Sequence, residues 1–174
     1  MALIIQKYGG TSVADAVRVK EVAKRVLKYK NEGHDVIVVV SAPAGTTDSL
    51  IRRAYELSET PNKRELDMLL TSGEQISIAS LAIAIEALGK KAISLNAFQV
   101  DFKTTDEHTK ATILNINTDI IREKLSEGNV VVFAGFQGIT ENNEITTLGR
   151  GGSDTTAVAL GAALKADEVE IYTD

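Results

Sequence analysis

The sequence contains no cysteine, only two histidines and only two prolines among its 174 residues. Without thiols, disulfides and thiolate metal sites are excluded, and the composition suits a reducing compartment, so the cytoplasm is the expected location. Pro43 and Pro61 each fall in a loop, and no proline-rich linker, repeat or low-complexity tract divides the chain. Positive charge is also short: 19 lysines and arginines stand against 24 acidic residues, a formal net charge of −5. The cations are spread along helical segments rather than gathered into a run, which argues against a nucleic-acid partner. Long apolar runs are missing as well. The N-terminal MALIIQKYGG has too short an apolar stretch for a signal peptide, and the longest later stretch is broken by Glu86, so no membrane partner is expected.

What is there is a core-forming α/β pattern, with 44% hydrophobic residues. Short β-rich runs alternate with longer helical ones. Strands are predicted at Leu3 to Gln6, Val36 to Val40, Ala92 to Leu95, Val130 to Ala134 and Val169 to Asp174. Helices are predicted at Ala14 to Tyr29, Thr47 to Leu57, Lys63 to Leu88, Thr118 to Leu125 and Thr155 to Ala166, with a hairpin over Phe136 to Thr147 turning at Asn142 and Asn143. The continuous apolar run VIVVV reads as a strand buried on both faces, so the expected class is α/β with a mostly parallel sheet.

Two glycine-bearing bends carry the chemistry. In TTLGRGGSDTTAVALGAAL, Arg150 offers a fork of donors suited to a carboxylate or phosphate, and Gly151 and Gly152 let the backbone approach a ligand. Ser153 or Asp154 can cap the apolar helix that follows, whose positive end faces the bend. In KYGGTS, the Lys7 ammonium and the backbone donors around Gly9 and Gly10 converge at the carboxyl edge of the sheet, a phosphate cradle. It is not a P-loop, because the lysine precedes the glycines, and the spacing of Gly149, Gly151 and Asp154 breaks the dinucleotide pattern. SAPAGTTDS brings Ser41, Thr46 and Thr47 to the same edge, where one of the threonines serves as a helix N-cap. Gly73 beside Glu74 inside a helical region implies close approach by another group; the alternative for Glu74 is an exposed helix carboxylate. His34 and His108 sit in polar segments and are expected at the surface.

Taken together, KYGGTSV, SGEQIS, GFQG, TTLGRGGSDTTA and the terminal IYTD, in this order and spacing, resemble the catalytic domain of aspartokinases, within the amino acid kinase family. That resemblance implies a three-layer α/β/α sandwich whose N-terminal half binds the amino acid and whose C-terminal half binds ATP. It implies phosphorylation of the side-chain carboxylate of L-aspartate with ATP and magnesium, the first step toward lysine, threonine and methionine, in an oligomeric cytoplasmic enzyme regulated through ACT domains. By motif, Lys7 contacts the transferred phosphate with support from Gly9, Gly10 and Ser12. Ser41, Thr47, Glu74, Arg150 and Ser153 surround aspartate, Asp154 orients the cationic groups, and Thr173 and Asp174 begin the nucleotide contacts. No protein residue is assigned to the metal. Because the family continues past the last of these motifs, the chain is expected to be part of a longer protein and to show little turnover alone.

Elementary chemistry agrees with that assignment. A carboxylate nucleophile is ionised near neutral pH and needs no general base, whereas attack of one anion on another does need charge neutralisation. Arg150 can grip the α-carboxylate while Glu74 answers the α-ammonium, leaving the second carboxylate aimed at the nucleotide. The competing readings are a kinase of another small acid, such as glutamate or acetylglutamate, and an amino-acid-sensing module without phosphoryl transfer. Both bends must face one cavity; Lys7 and Arg150 on opposite sides of the molecule would overturn the assignment.

Overall fold

In the computed structural model, which describes residues 1–173, the run VIVVV lies in the middle strand of a five-stranded parallel sheet. The sheet comprises β1 (Leu3–Tyr8), β2 (Asp35–Val40), β3 (Ala92–Leu95), β6 (Val130–Ala134) and β9 (Glu168–Tyr172), in the order β3-β6-β2-β1-β9. Side chains alternate across a strand, so β2 feeds two cores. Val36, Val38 and Val40 pack with α1 (Ala16–Asn31) and α4 (Ser72–Ala87), while Ile37 and Val39 pack with α5 (Ala97–Val100), α6 (Asp119–Ser126) and α7 (Gly152–Leu164). Both faces are therefore covered, which is why this strand is apolar throughout rather than at alternate positions. The expected three-layer α/β/α sandwich is what forms.

Because the strands are parallel, Tyr8, Val40, Ala134 and Tyr172 all end their strands at one edge, from which the loops after β1, β2 and β6 leave. That edge is closed over by α2 (Thr46–Leu57), α3 (Lys63–Leu70) and a small second sheet. The small sheet contains β4 (Phe102–Thr104), β5 (Ile113–Ile116), β7 (Gln137–Ile139) and β8 (Ile145–Thr147), in the order β5-β4-β7-β8. The β7–β8 hairpin matches expectation, with Asn143 at φ 62° in its turn. The other two strands and α5 were not legible, since elements of three or four residues carry no measurable period.

The helical run predicted from Lys63 to Leu88 is two helices, broken at Thr71, whose hydroxyl donates to the Asp67 carbonyl. By length and hydropathy the stretch Lys63–Ala87 could cross a bilayer. Its apolar content is accounted for by core: Ile78, Leu81 and Ile85 of α4 are buried against α1 and the sheet. His34, expected at the surface, is half-buried, and its Nδ1 accepts from the Ala2 amide at 3.2 Å.

Candidate active site

Lys7 and Tyr8 are neighbours on β1 and so point to opposite faces of the sheet. Tyr8 stacks on Tyr172 on the α1 side; Lys7 turns to the α7 side, where its Nζ lies 2.9 Å from Asp154 Oδ1. The loop after β1 then runs through a 3-10 turn (Gly10–Val13) and packs backbone to backbone on the loop after β2. The Ala44 amide donates to the Gly10 carbonyl at 3.0 Å, and a Cβ on Gly10 would stand 2.7 Å from the Ala42 carbonyl oxygen. Gly10 is thus required by close approach of two loops. Gly10→Ala is expected to lower stability by about 1–3 kcal/mol, because the opposing atom is backbone and cannot rotate away; thermal unfolding checks this.

From β8 the chain bends through Gly149 and Gly151, at φ 83° and 75°, into α7. The predicted caps are corrected here. Gly151 is the N-cap, and neither Ser153 nor Asp154 bonds to a free helix amide, because both already lie within the helix. They are used laterally instead. Asp154 meets Lys7, and the Ser41 hydroxyl donates to Ser153 Oγ at 2.9 Å, tying β2 to α7. Thr46 and Thr47 are likewise not caps: Gly45, at φ 82°, holds that position for α2 without a side-chain bond.

These elements enclose a cleft of about 600 Å³, lined by Lys7, Ser41, Thr47, Glu74, Arg150, Ser153 and Asp154 among others. The condition set by the sequence is met: Lys7 and Arg150 face the same cavity. Arg150 is exposed, and among the described residues no carboxylate pairs with it. Lys7 is held more deeply, with 14% of its side chain exposed against 52% for Asp154.

Glu74 is only 2% exposed, so it is not a surface helix carboxylate. The close approach implied by Gly73 is real: a Cβ there would lie 2.7 Å from the Ala42 Cβ. Burial pushes the Glu74 carboxyl up to about 7, while the Gln137 amide and backbone groups at Glu74 and Ala42 draw it partway down. Gln137 Nε2 donates to Glu74 Oε1 at 3.0 Å and to the Thr71 carbonyl at 3.0 Å, which fixes the carboxylate in the cleft wall.

The remaining predicted residues fall elsewhere. Gly9 accepts the Ser12 amide within the first bend, and Ser12 opens onto a second cleft of about 620 Å³ on the α1 side, beside Arg18, Arg25 and Tyr172. Thr173 is exposed just beyond β9, and Asp174 lies outside the described residues.

Sequence reasoning missed Phe136, Thr147, Thr109 and Gln137, of which the first three line the main cleft. Phe136 adopts φ 77° with its amide donating to Thr156 Oγ1, an unusual conformation for an aromatic residue. The motif GFQG contained both Phe136 and Gln137, yet nothing local says that Gln137 meets Glu74, 63 residues away. His108 is also corrected: it is half-buried, with Nδ1 2.8 Å from Asp67 Oδ2.

The sequence model of the amino acid kinase family matches residues 2–174. The chain is 55% identical over 174 residues to an aspartokinase of Geobacillus stearothermophilus, covering all of this chain and 43% of that protein. It is 50% identical over 174 residues to aspartokinase 2 of Bacillus subtilis (strain 168), again covering all of this chain and 43% of the relative. Among solved structures it is similar to aspartate kinase from Synechocystis, with TM-score 0.87 and 48% identity over 99% of this chain and 28% of that one. It is also similar to E. coli aspartokinase III in complex with aspartate and ADP, with TM-score 0.86 and 27% identity over 99% of this chain and 49% of that one. The chain thus spans less than half the length of these curated relatives.

Proposed function

This chain belongs to the amino acid kinase family, and from that premise we propose that the complete gene product transfers the γ-phosphoryl group of ATP to the side-chain carboxylate of L-aspartate, giving 4-phospho-L-aspartate. The observation that carries this reading is the convergence of Lys7, Glu74 and Arg150, from three remote segments, on one cleft. Arg150 answers the α-carboxylate, Glu74 answers the α-ammonium, and the free carboxylate is then directed to the phosphoryl group beside Lys7. The similarity to aspartokinases supports the amino acid, and the similar E. coli structure solved with aspartate and ADP supports the pairing of ligands.

ATP and magnesium enter together in this reading. Among the described residues there is no cluster of three His, Cys, Asp or Glu able to cage a metal. Magnesium is commonly held by phosphate oxygens and water with one or two carboxylates. Asp154 is the carboxylate placed to share such an ion, which when bound would neutralise phosphate charge, while Lys7 supplies the fixed positive charge. The oligomeric, cytoplasmic setting implied by the family resemblance belongs to the same proposal.

The test is hydroxamate trapping of the acyl phosphate with L-aspartate, L-glutamate and N-acetyl-L-glutamate as competing acceptors. Trapping with aspartate and none with N-acetyl-L-glutamate is expected, because Glu74 has an ammonium to pair only in an unacetylated amino acid; trapping with L-glutamate in preference to aspartate would support the kinase of another small acid. Aspartate binding without ADP formation would instead support the sensing module.

Glu74 also predicts a pH profile. Its carboxyl rises from about 4.5 to about 7 on burial, so it is largely protonated at pH 6 and ionised at pH 8. An ammonium ligand binds the ionised form, so the aspartate KM is expected to fall about tenfold from pH 6 to pH 8 and then level off. Glu74→Gln should abolish that dependence while raising KM throughout; a profile unchanged by the substitution would remove Glu74 from the ammonium site.

A further inference from the structure

Asp67 is a fully buried carboxylate with no lysine or arginine partner among the described residues. Such a group is costly to bury unless its oxygens are satisfied. Here they are. The Thr109 amide donates at 3.0 and 3.2 Å to the two oxygens, His108 Nδ1 donates to Oδ2 at 2.8 Å, and Thr147 Oγ1 donates to Oδ1 at 2.7 Å.

Those donors come from two segments that converge just ahead of Arg150. His108 and Thr109 belong to the loop joining β4 to β5, and Thr147 is the last residue of β8. The two are pinned to each other as well, since the Ala111 amide donates to the Thr147 carbonyl at 2.9 Å. Thr109 is held at φ 74°, a left-handed conformation uncommon for threonine. Its carbonyl oxygen lies where a Cβ on Gly149 would come to 3.1 Å, so the loop rests on the residue that precedes Arg150. Thr109, Thr147, Gly149 and Arg150 then line the same cleft, together with Leu66 and Leu70 from the helix that carries Asp67.

We propose that Asp67 and His108 form a clamp that positions the Thr109 loop and the Arg150 bend as the aspartate-facing wall of the cleft. They act through Thr109, Thr147 and Arg150, and so are positioning residues rather than catalytic ones. An apolar pair could fill the same space at little cost to stability. The polar pair adds direction, because three donors from two segments meet one rigid carboxylate. The inference rests on the aspartate-kinase reading for its kinetic test, and its structural test is independent of that reading.

In the complete gene product, His108→Leu is expected to raise the KM for L-aspartate about tenfold, with kcat and the KM for ATP within about twofold of native. His108→Asn, whose amide can donate from near the Nδ1 position, is expected to recover most of that loss. Asp67→Asn should resemble His108→Leu; if it does not fold, the two His108 variants carry the test. The clamp is overturned if the KM values for aspartate and ATP rise together, or if His108→Leu leaves the aspartate KM unchanged. Hydrogen exchange gives the second readout. In His108→Leu the amides of residues 148–152 should exchange at least about tenfold faster, with β2 and β6 unaffected. Should the native protein fail to phosphorylate aspartate, the functional reading falls, and unchanged exchange at 148–152 would separately sink the clamp.

Discussion

Lys7→Met in the complete gene product is expected to lower kcat for aspartate-dependent ADP formation by about 10³-fold, a loss comparable to removing a preorganised donor from a transition state. The reason lies in the reaction and not in the stability of the fold. In the proposed reaction two anions must approach, and Lys7 places a cation at the carboxyl end of β1, held by Asp154 and only 14% exposed. Methionine keeps the length and packing of the side chain while removing the charge. The lost ion pair is half exposed on its acidic side, so its contribution to folding is at most about 1 kcal/mol. The melting temperature should therefore stay within about 4 °C of native. Stopped turnover with a native melting curve supports the assignment; equal losses in both assign Lys7 to structure.

The second large effect is expected at Arg150. Arg150→Ala should raise the aspartate KM at least about 100-fold, since charge-assisted hydrogen bonds contribute about 1.5–3 kcal/mol each. Arg150→Lys should recover only part of this, because an ammonium is a point charge and cannot grip a carboxylate with two parallel bonds. The KM for ATP should not move. Arg150 is exposed and has no ion-pair partner among the described residues, so both variants should fold as the native protein does. Steady-state kinetics with each substrate varied in turn separates these outcomes. A parallel rise in both KM values would place Arg150 on the nucleotide and exchange the roles of the two bends.

Much of the fold was legible because the strands are buried on both faces. VIVVV and VVVFA are apolar at every position, and between them come helices long enough to show a period. The main site residues were legible for a related reason. Lys7 and Ser41 lie at the carboxyl ends of β1 and β2, and parallel strands deliver those ends to one edge. Arg150 instead follows β8 of the small sheet and was legible through the glycine bend that opens α7. Where local chemistry competed with packing, the sequence misled. Ser153, Asp154, Thr46 and Thr47 are all good capping residues, yet glycines at left-handed φ take the cap positions of α2 and α7. The Ser153 and Asp154 side chains are left free to meet Ser41 and Lys7 at the ends of β2 and β1. Asp67 was overlooked and His108 misplaced for a matching reason: their partners lie 41 residues apart in the chain, and a polar loop residue looks exposed until the loop is seen folded onto a helix.

The order of residues alone determined the layered α/β architecture, the apolar strands and the pair of glycine bends, since each depends on composition and period within a short window. Only the tertiary structure decided that Glu74 is buried beside Gln137 with its carboxyl near neutrality, that Lys7 meets Asp154 across a helix end, and that Asp67 gathers three donors beneath the Arg150 bend. Those features depend on desolvation and on distances between remote segments, and neither quantity exists until the chain has closed.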